Sequence, residues 1–121
     1  MKKIAVFISC LILTAIVAFA EPTNYLRGSA VKTASALIYT GDALFGGFIV
    51  AMDGTNAVTI DVYDGTNSSG TKIIPQTVIP TSATNRSYSL SIDPGLHVYT
   101  GIYVVVSVAG GGSCAYTVYY K

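Results

Sequence analysis

From residue 36 onward the chain alternates apolar and polar positions with a period of two, and no window carries the i, i+3, i+4, i+7 spacing of an amphipathic helix. VTIDVY at 58–63 sets Val58, Ile60 and Val62 on one face against Thr59, Asp61 and Tyr63 on the other. SYSLSI at 87–92 sets Tyr88, Leu90 and Ile92 against Ser87, Ser89 and Ser91. GIYVVVSV at 101–108 is apolar on almost both faces and reads as a central strand. ALIYT at 36–40 and FGGFIVAM at 45–52 read as strands joined through the Gly41-Asp42 turn, and 114–120 as the last strand. TKIIPQTVIP at 71–80 is a weaker strand, because Pro75 supplies no N–H to a ladder and points to an edge or a bulge. Turn chemistry separates these runs: DGTN, DGTNSSG, PTSATN, DPG and AGGG, with Asp93-Pro94-Gly95 read as a turn leading into a strand. Short strands at roughly 8–12-residue spacing predict an all-β fold, a single antiparallel β-sandwich or jelly-roll-like domain of about seven to eight strands.

The tetrapeptide DGTN occurs at 53–56 and again at 64–67. Two copies of an oxygen-rich motif raise the question of a shared calcium site. AVTIDVY between them spans ~23 Å as a strand, so Asp53 and Asp64 sit at its opposite ends. Calcium takes about six to eight oxygens, and one DGTN offers one carboxylate and a few weaker ligands. Each Asp-Gly pair reads instead as a turn, with positive φ expected at Gly54 and Gly65 and the aspartate bonding the backbone just ahead. No metal and no cofactor are expected.

The first twenty residues form a separate object. MKK gives a basic start, residues 4–19 are apolar, and Ala18-Phe19-Ala20 fits the small-x-small cleavage rule. This predicts a secretory signal peptide, 1–20, with the β-sandwich domain in 21–121. A retained anchor is the rival, but the apolar run reaches only ~24 Å as a helix against a hydrocarbon core of ~30 Å. Cys10 has more apolar chain after it, which argues against a lipid-modified cysteine. A secreted, extracellular or cell-surface location follows, with no membrane contact once the leader is removed.

Charge changes the picture next. Only 11% of residues are charged, well below the ~25% of ordinary soluble domains. Seven Lys and Arg balance six Asp and Glu, and losing Lys2 and Lys3 with the leader tips the balance slightly acidic. No basic cluster suits nucleic acid. Thr, Ser, Asn, Gly and the nine tyrosines must cover the surface, which suits a protein packed against its own copies or spread on a polymer. With Cys10 gone, Cys114 has no intramolecular partner. Its place in the alternating SCAYTVYY favours burial over pairing between subunits.

No catalytic constellation emerges. His97 is the sole histidine, with Asp93 before it and Cys114 after a glycine run, but no GxSxG elbow is present. His97 reads as a polar residue near a strand end. Asp42, Asp53, Asp64 and Asp93 lie in turns, and Asp61 alone is mid-strand, facing solvent or a partner. No zinc-ligand cluster occurs. Tyr116 and Tyr120 share one face of the last strand and Tyr119 takes the other. Such rings serve packing, a subunit interface or stacking on a sugar. Asn67-Ser68-Ser69 and Asn85-Arg86-Ser87 match the glycosylation sequon by chance.

VYDGTNSSGTKII at 62–74, DPGLHVYTGIYVVVS at 93–107 and the ending YTVYYK resemble the small β-sandwich modules of phage virion accessory proteins, over roughly residues 36–121. The resemblance implies a non-enzymatic module, often oligomeric, used for decoration or attachment. The leader departs from that pattern and points to a cell-surface or extracellular assembly. The sequence thus predicts a non-enzymatic secreted structural module, a subunit of an extracellular, cell-surface or virion-surface assembly, with itself as partner. The alternative is a secreted glycan-binding domain. Pro75 and Pro80 are expected to protect one sheet edge. Residues 21–35 are expected to contribute to contacts between copies by adding a strand to a neighbour's open edge, the alternative being a frayed end or pairing within their own sheet.

Overall fold

The computed structural model of the chain describes residues 26–121. The leader expected at 1–20, with Cys10 and the cleavage point expected after Ala20, lies outside the described residues, as do residues 21–25. Nine strands are present among the described residues: β1 (Arg27–Gly28), β2 (Ala36–Thr40), β3 (Ala43–Met52), β4 (Val58–Asp64), β5 (Thr71–Lys72), β6 (Thr77–Ile79), β7 (Ser87–Val98), β8 (Gly101–Val108) and β9 (Cys114–Tyr120). They form two antiparallel sheets, β1-β9-β3-β7 and β2-β8-β4-β5, with β6 also paired to β4. Apolar side chains from both sheets fill the space between, including Phe45, Phe48 and Val50 of β3, Val58, Ile60 and Val62 of β4, Ile102 and Val104 of β8, and Tyr116 and Val118 of β9. The fold is the expected all-β sandwich.

The alternation holds where it was legible. Val58, Ile60 and Val62 are buried as a set, and on β9 Cys114, Tyr116 and Val118 point inward while Tyr119 is exposed. Pro75 does split the 71–80 stretch, leaving the short β5 and β6 on the outer edge of β4.

The central strand β3 departs from strict alternation. Phe45 and Phe48 are both fully buried, although three residues apart they belong on opposite faces of a regular strand. Gly46 and Gly47 resolve the conflict. The register of β3 shifts between Phe45 and Gly47 against both neighbours, so the strand gains one residue and flips its parity. Gly47 has φ 133°, and a Cβ there would meet the Leu90 carbonyl oxygen at 2.0 Å. Only glycine fits.

Opposite this bulge β7 bulges too. Leu96 pairs with Phe45 and Ser91 with Gly47, so residues 92–95 face a single residue of β3. Asp93-Pro94-Gly95 therefore does not form a turn before a new strand. It sits inside one twelve-residue strand. Turn chemistry is used here to kink an edge strand, and sequence spacing alone does not tell a kink from a chain reversal.

The N-terminal arm is the second departure. Arg27 and Gly28 pair with Tyr120 and Tyr119 of the same chain. Ser29 N–H donates to the Val118 carbonyl at 2.8 Å, and Lys32 and Tyr116 exchange two backbone hydrogen bonds at 2.9 and 2.8 Å. The Tyr116 hydroxyl donates to the Ala34 carbonyl at 2.9 Å. The open edge the arm was expected to seek on a neighbour is the edge of its own β9. The described part of the arm already has its backbone partners at home.

Two outcomes are expected. Gly47→Ala should lower stability by ~2–3 kcal/mol in chemical denaturation, whereas Gly28→Ala, whose new methyl meets only ordinary contacts, should stay within ~0.5 kcal/mol. A variant starting at Ala36 should melt earlier and self-associate more by light scattering than one starting at Glu21, because the bare β9 edge offers unpaired N–H and C=O groups.

Candidate functional site

The two DGTN motifs are turns, and each also reaches across the fold. Asp53 lies just after β3. Its Oδ1 accepts the backbone N–H groups of Thr55 and Asn56 at 2.8 and 2.9 Å. Its Oδ2 accepts the Asn56 side-chain amide and the Ser113 N–H, both at 3.0 Å. Ser113 belongs to the crossing between β8 and β9, so the turn aspartate ties down a segment sixty residues away. The Asn56 amide and the N–H groups of Thr55, Ser113 and Asn56 hold the Asp53 carboxyl far below the usual carboxylate range.

Asp64 does the same at the other end of β4. Its Oδ2 accepts the Tyr99 N–H at 3.0 Å, and its Oδ1 accepts those of Thr100 and Gly101 at 2.8 and 3.3 Å. Desolvation pushes this carboxyl up, but the three N–H groups and the nearby His97 outweigh it and leave its pKa lowered. Both aspartates are thus anchors for the two crossings that enter and leave β8. Gly54 has the expected positive φ of 83°. Gly65 does not; a Cβ there would come within 2.9 Å of the Gly70 Cα, so close approach and not φ dictates that glycine.

Asp61 corrects the expectation of a solvent-facing carboxylate. It does project from the outer face of β4, but it is buried. The Lys72 ammonium lies 2.8 Å from its Oδ1 and the Gln76 amide donates to its Oδ2 at 3.2 Å. Lys72 also sits 5.5 Å from the Tyr63 ring centroid. The short strands around Pro75 carry Lys72 into this position.

The sequence candidates for catalysis are kept apart. His97 pairs with Leu44 at one end of β3 and Cys114 with Met52 at the other, about 25 Å along the strand. Cys114 is buried as expected, and burial followed by the charge of Asp53 raises its pKa, which keeps it a thiol. Asp93 lies exposed in the β7 bulge. No group of three or more His, Cys, Asp or Glu side chains suited to a metal occurs among the described residues.

The tyrosines also redistribute. Tyr116 is buried, its hydroxyl pushed up to about 12 by burial and by Cys114 and Tyr103. Tyr120 packs against Tyr39 with ring centroids 5.2 Å apart. Among the described residues the aromatic ring most open to solvent is Tyr99, 72% exposed, in the turn between β7 and β8. Its ring stands edge-to-face with His97 at 4.3 Å, and His97 Nε2 lies 2.9 Å from Asp42 Oδ1. Beside Tyr99, the loop after β4 encloses a concavity of ≈ 280 Å³ lined by Asp64, Thr66, Asn67, Ser69, Thr71 and Thr100, with Gly65 and Gly70. Inside the loop Asn67 Oδ1 accepts the Ser69 N–H at 2.9 Å and the Ser69 hydroxyl. The sequence places Thr66, Asn67 and Ser69 in a turn, with Asn67-Ser68-Ser69 also a chance sequon, and does not single out Tyr99. Exposure of one tyrosine among nine leaves no mark in a one-dimensional pattern.

No family model matches this sequence, and no curated protein is similar to it. The chain's own geometry therefore carries the functional argument. The anchoring role of the aspartates has a pH signature. Both folded-state pKa values are depressed, so the stabilisation is present above the ordinary carboxylate value of ~4 and is lost as pH falls below it. The melting temperature should hold steady from neutral pH down to ~4.5 and drop below that. Asp53→Asn and Asp64→Asn together should melt lower at pH 7 and flatten the acid limb, and EDTA should change neither curve.

Proposed function

We propose that the protein is a non-catalytic β-sandwich subunit of an extracellular, cell-surface or virion-surface assembly, built by packing copies of itself face to face. The observation that carries this is the outer face of the β9-β3-β7 sheet. Before the bulge Leu44 and His97 face outward, with His97 bound to Asp42; beyond it the outward positions are Ala115, Thr117 and Tyr119 on β9, Gly47, Ile49 and Ala51 on β3, and Ser87, Ser89 and Ser91 on β7. None of the latter is charged. Ile49 is 41% exposed at its centre and Tyr119 is 37% exposed at its margin. An apolar cleft of ≈ 210 Å³ lies on this face between Val31 of the arm and Ile49, Ala51, Ala115 and Thr117.

A solvated sheet face ordinarily carries Lys and Glu at alternate positions. The opposite sheet follows that habit in part, with Lys72 and Asp61 outward. A face of mostly small, uncharged side chains suits contact with a second copy. A second copy meets no like charge there, and burying Ile49 and Tyr119 removes apolar surface from water. The sheet edges, by contrast, are blunted. The arm covers β9, Pro94 kinks β7, Pro75 interrupts the β5/β6 edge, and β2 is short and bulged between Leu37 and Tyr39. Association by face is favoured over association by strand addition. The leader at 1–20 supports the extracellular setting.

Size-exclusion chromatography with light scattering should show the purified protein as a defined oligomer well above micromolar concentration. Ile49→Asp and Thr117→Lys should each move it to the monomer with little loss of melting temperature, since both positions face outward. A native protein that stays monomeric, or an oligomer indifferent to both changes, would sink the face-packing proposal.

A further inference from the structure

We propose that the end of the sandwich formed by Tyr99 and the 64–71 loop binds a neutral saccharide, with Tyr99 as the stacking platform and the loop as a hydroxyl-reading pocket. This goes beyond the assembly role and uses none of the face residues.

Tyr99 is an exposed aromatic ring that the fold holds in place. Its backbone N–H is bound by Asp64, and its ring is braced edge-to-face against His97, which is itself held by Asp42. A tyrosine needed only to fill a turn requires no such bracing. A ring fixed in solvent presents apolar area at low conformational cost, and the C–H face of a sugar is a natural partner for it.

The concavity next to its backbone has the complementary chemistry. Thr100, next to Tyr99, lines it, and so does the Asp64 that binds Tyr99. The hydroxyls of Thr66, Thr71 and Thr100 and the side-chain NH2 of Asn67 make no hydrogen bond to protein among the described residues. They are donors and acceptors free for a polyol. At ≈ 280 Å³ the space lies just below the range of drug-sized ligand pockets, ~300 to ~1,000 Å³. It suits one sugar ring, with the rest of a chain running along Tyr99.

Charge selects among saccharides. No Lys or Arg lines the concavity, so nothing there pairs with sulfate, phosphate or carboxylate. The one charged lining group is Asp64, whose two oxygens are both taken by the N–H groups of Tyr99, Thr100 and Gly101. Its residual negative field disfavours anionic glycans. Its committed oxygens also leave it poorly placed to hold a cation, so binding needs no calcium.

The test is a titration of ¹⁵N-labelled protein with cellohexaose, maltohexaose and chitohexaose at millimolar concentration, with polygalacturonate as the anionic control. At least one neutral oligosaccharide should shift the amides of Thr66, Asn67, Ser69 and Thr100. Tyr99→Ala should weaken that binding about tenfold or more. Tyr99→Phe should retain it, and Tyr119→Ala, on the sheet face, should leave it unchanged. The proposal is overturned if none of the three neutral probes shifts these amides, if polygalacturonate binds as well, if EDTA abolishes binding, or if Tyr99→Ala binds like the native protein. Unchanged spectra elsewhere in Tyr99→Ala would show that its loss is local.

Discussion

Strand alternation cannot put Phe45 and Phe48 on the same side of a regular β-strand, yet both are in the core. The extra residue at Gly46-Gly47 reconciles the two requirements, and much of the sandwich depends on it. β3 is the interior strand that pairs with both β7 and β9, and its register shifts against both at the same point. Before the bulge Ala43 and Phe45 point inward; after it Phe48, Val50 and Met52 do. The same parity change leaves Ile49 and Ala51 on the outer face, where the uncharged surface lies. A one-residue slip here would exchange the core for the surface along half the strand.

The sequence disclosed the strands where alternation was uninterrupted. Ala36–Thr40, Gly101–Val108 and Cys114–Tyr120 have the bounds that their patterns suggest, and β4 differs only by Asp64. It failed where a turn signal served another purpose. Asp93-Pro94-Gly95 has every mark of a chain reversal but works as a kink within β7. Asp53 and Asp64 were legible as local turn residues, because an Asp-Gly pair bonds the backbone just ahead. Their second task, holding Ser113 and Tyr99–Gly101, was not legible. Which distant loop lies beside a turn is decided by sheet order, and period-two patterning carries no information on order. Burial of Asp61 was missed for the same reason: its cover comes from Lys72 and Gln76, on a different part of the chain.

The surface divides along the same lines. Edges are occupied, kinked or interrupted. One sheet face is uncharged beyond the Gly46-Gly47 bulge. One end carries a braced aromatic beside a hydroxyl-lined hollow. A chain with few charges cannot rely on repulsion to stay apart from its neighbours, so where it permits contact becomes a matter of shape. Blocking the edges removes the open-ended mode of association, in which each added strand creates a new edge. Face contact between two sheets closes on itself.

The arm paired to β9 also bears on how the fold responds to force. Arg27 is the register partner of Tyr120, and the two strands run antiparallel, so the arm and the final residues of β9 lie side by side at one end of the molecule. A tension applied between the arm and Lys121 would therefore pull on adjacent points. It would open the β1–β9 hydrogen bonds one after another, as a zip, and would not load them together in shear. The arm shares two register pairs with β9, against seven between β3 and β9 and two further backbone bonds between Leu44 and Lys121, so the arm would yield first. The protein thus has a compliant outer strap over a stiff interior, and a modest load would expose the β9 edge before any of the core is disturbed.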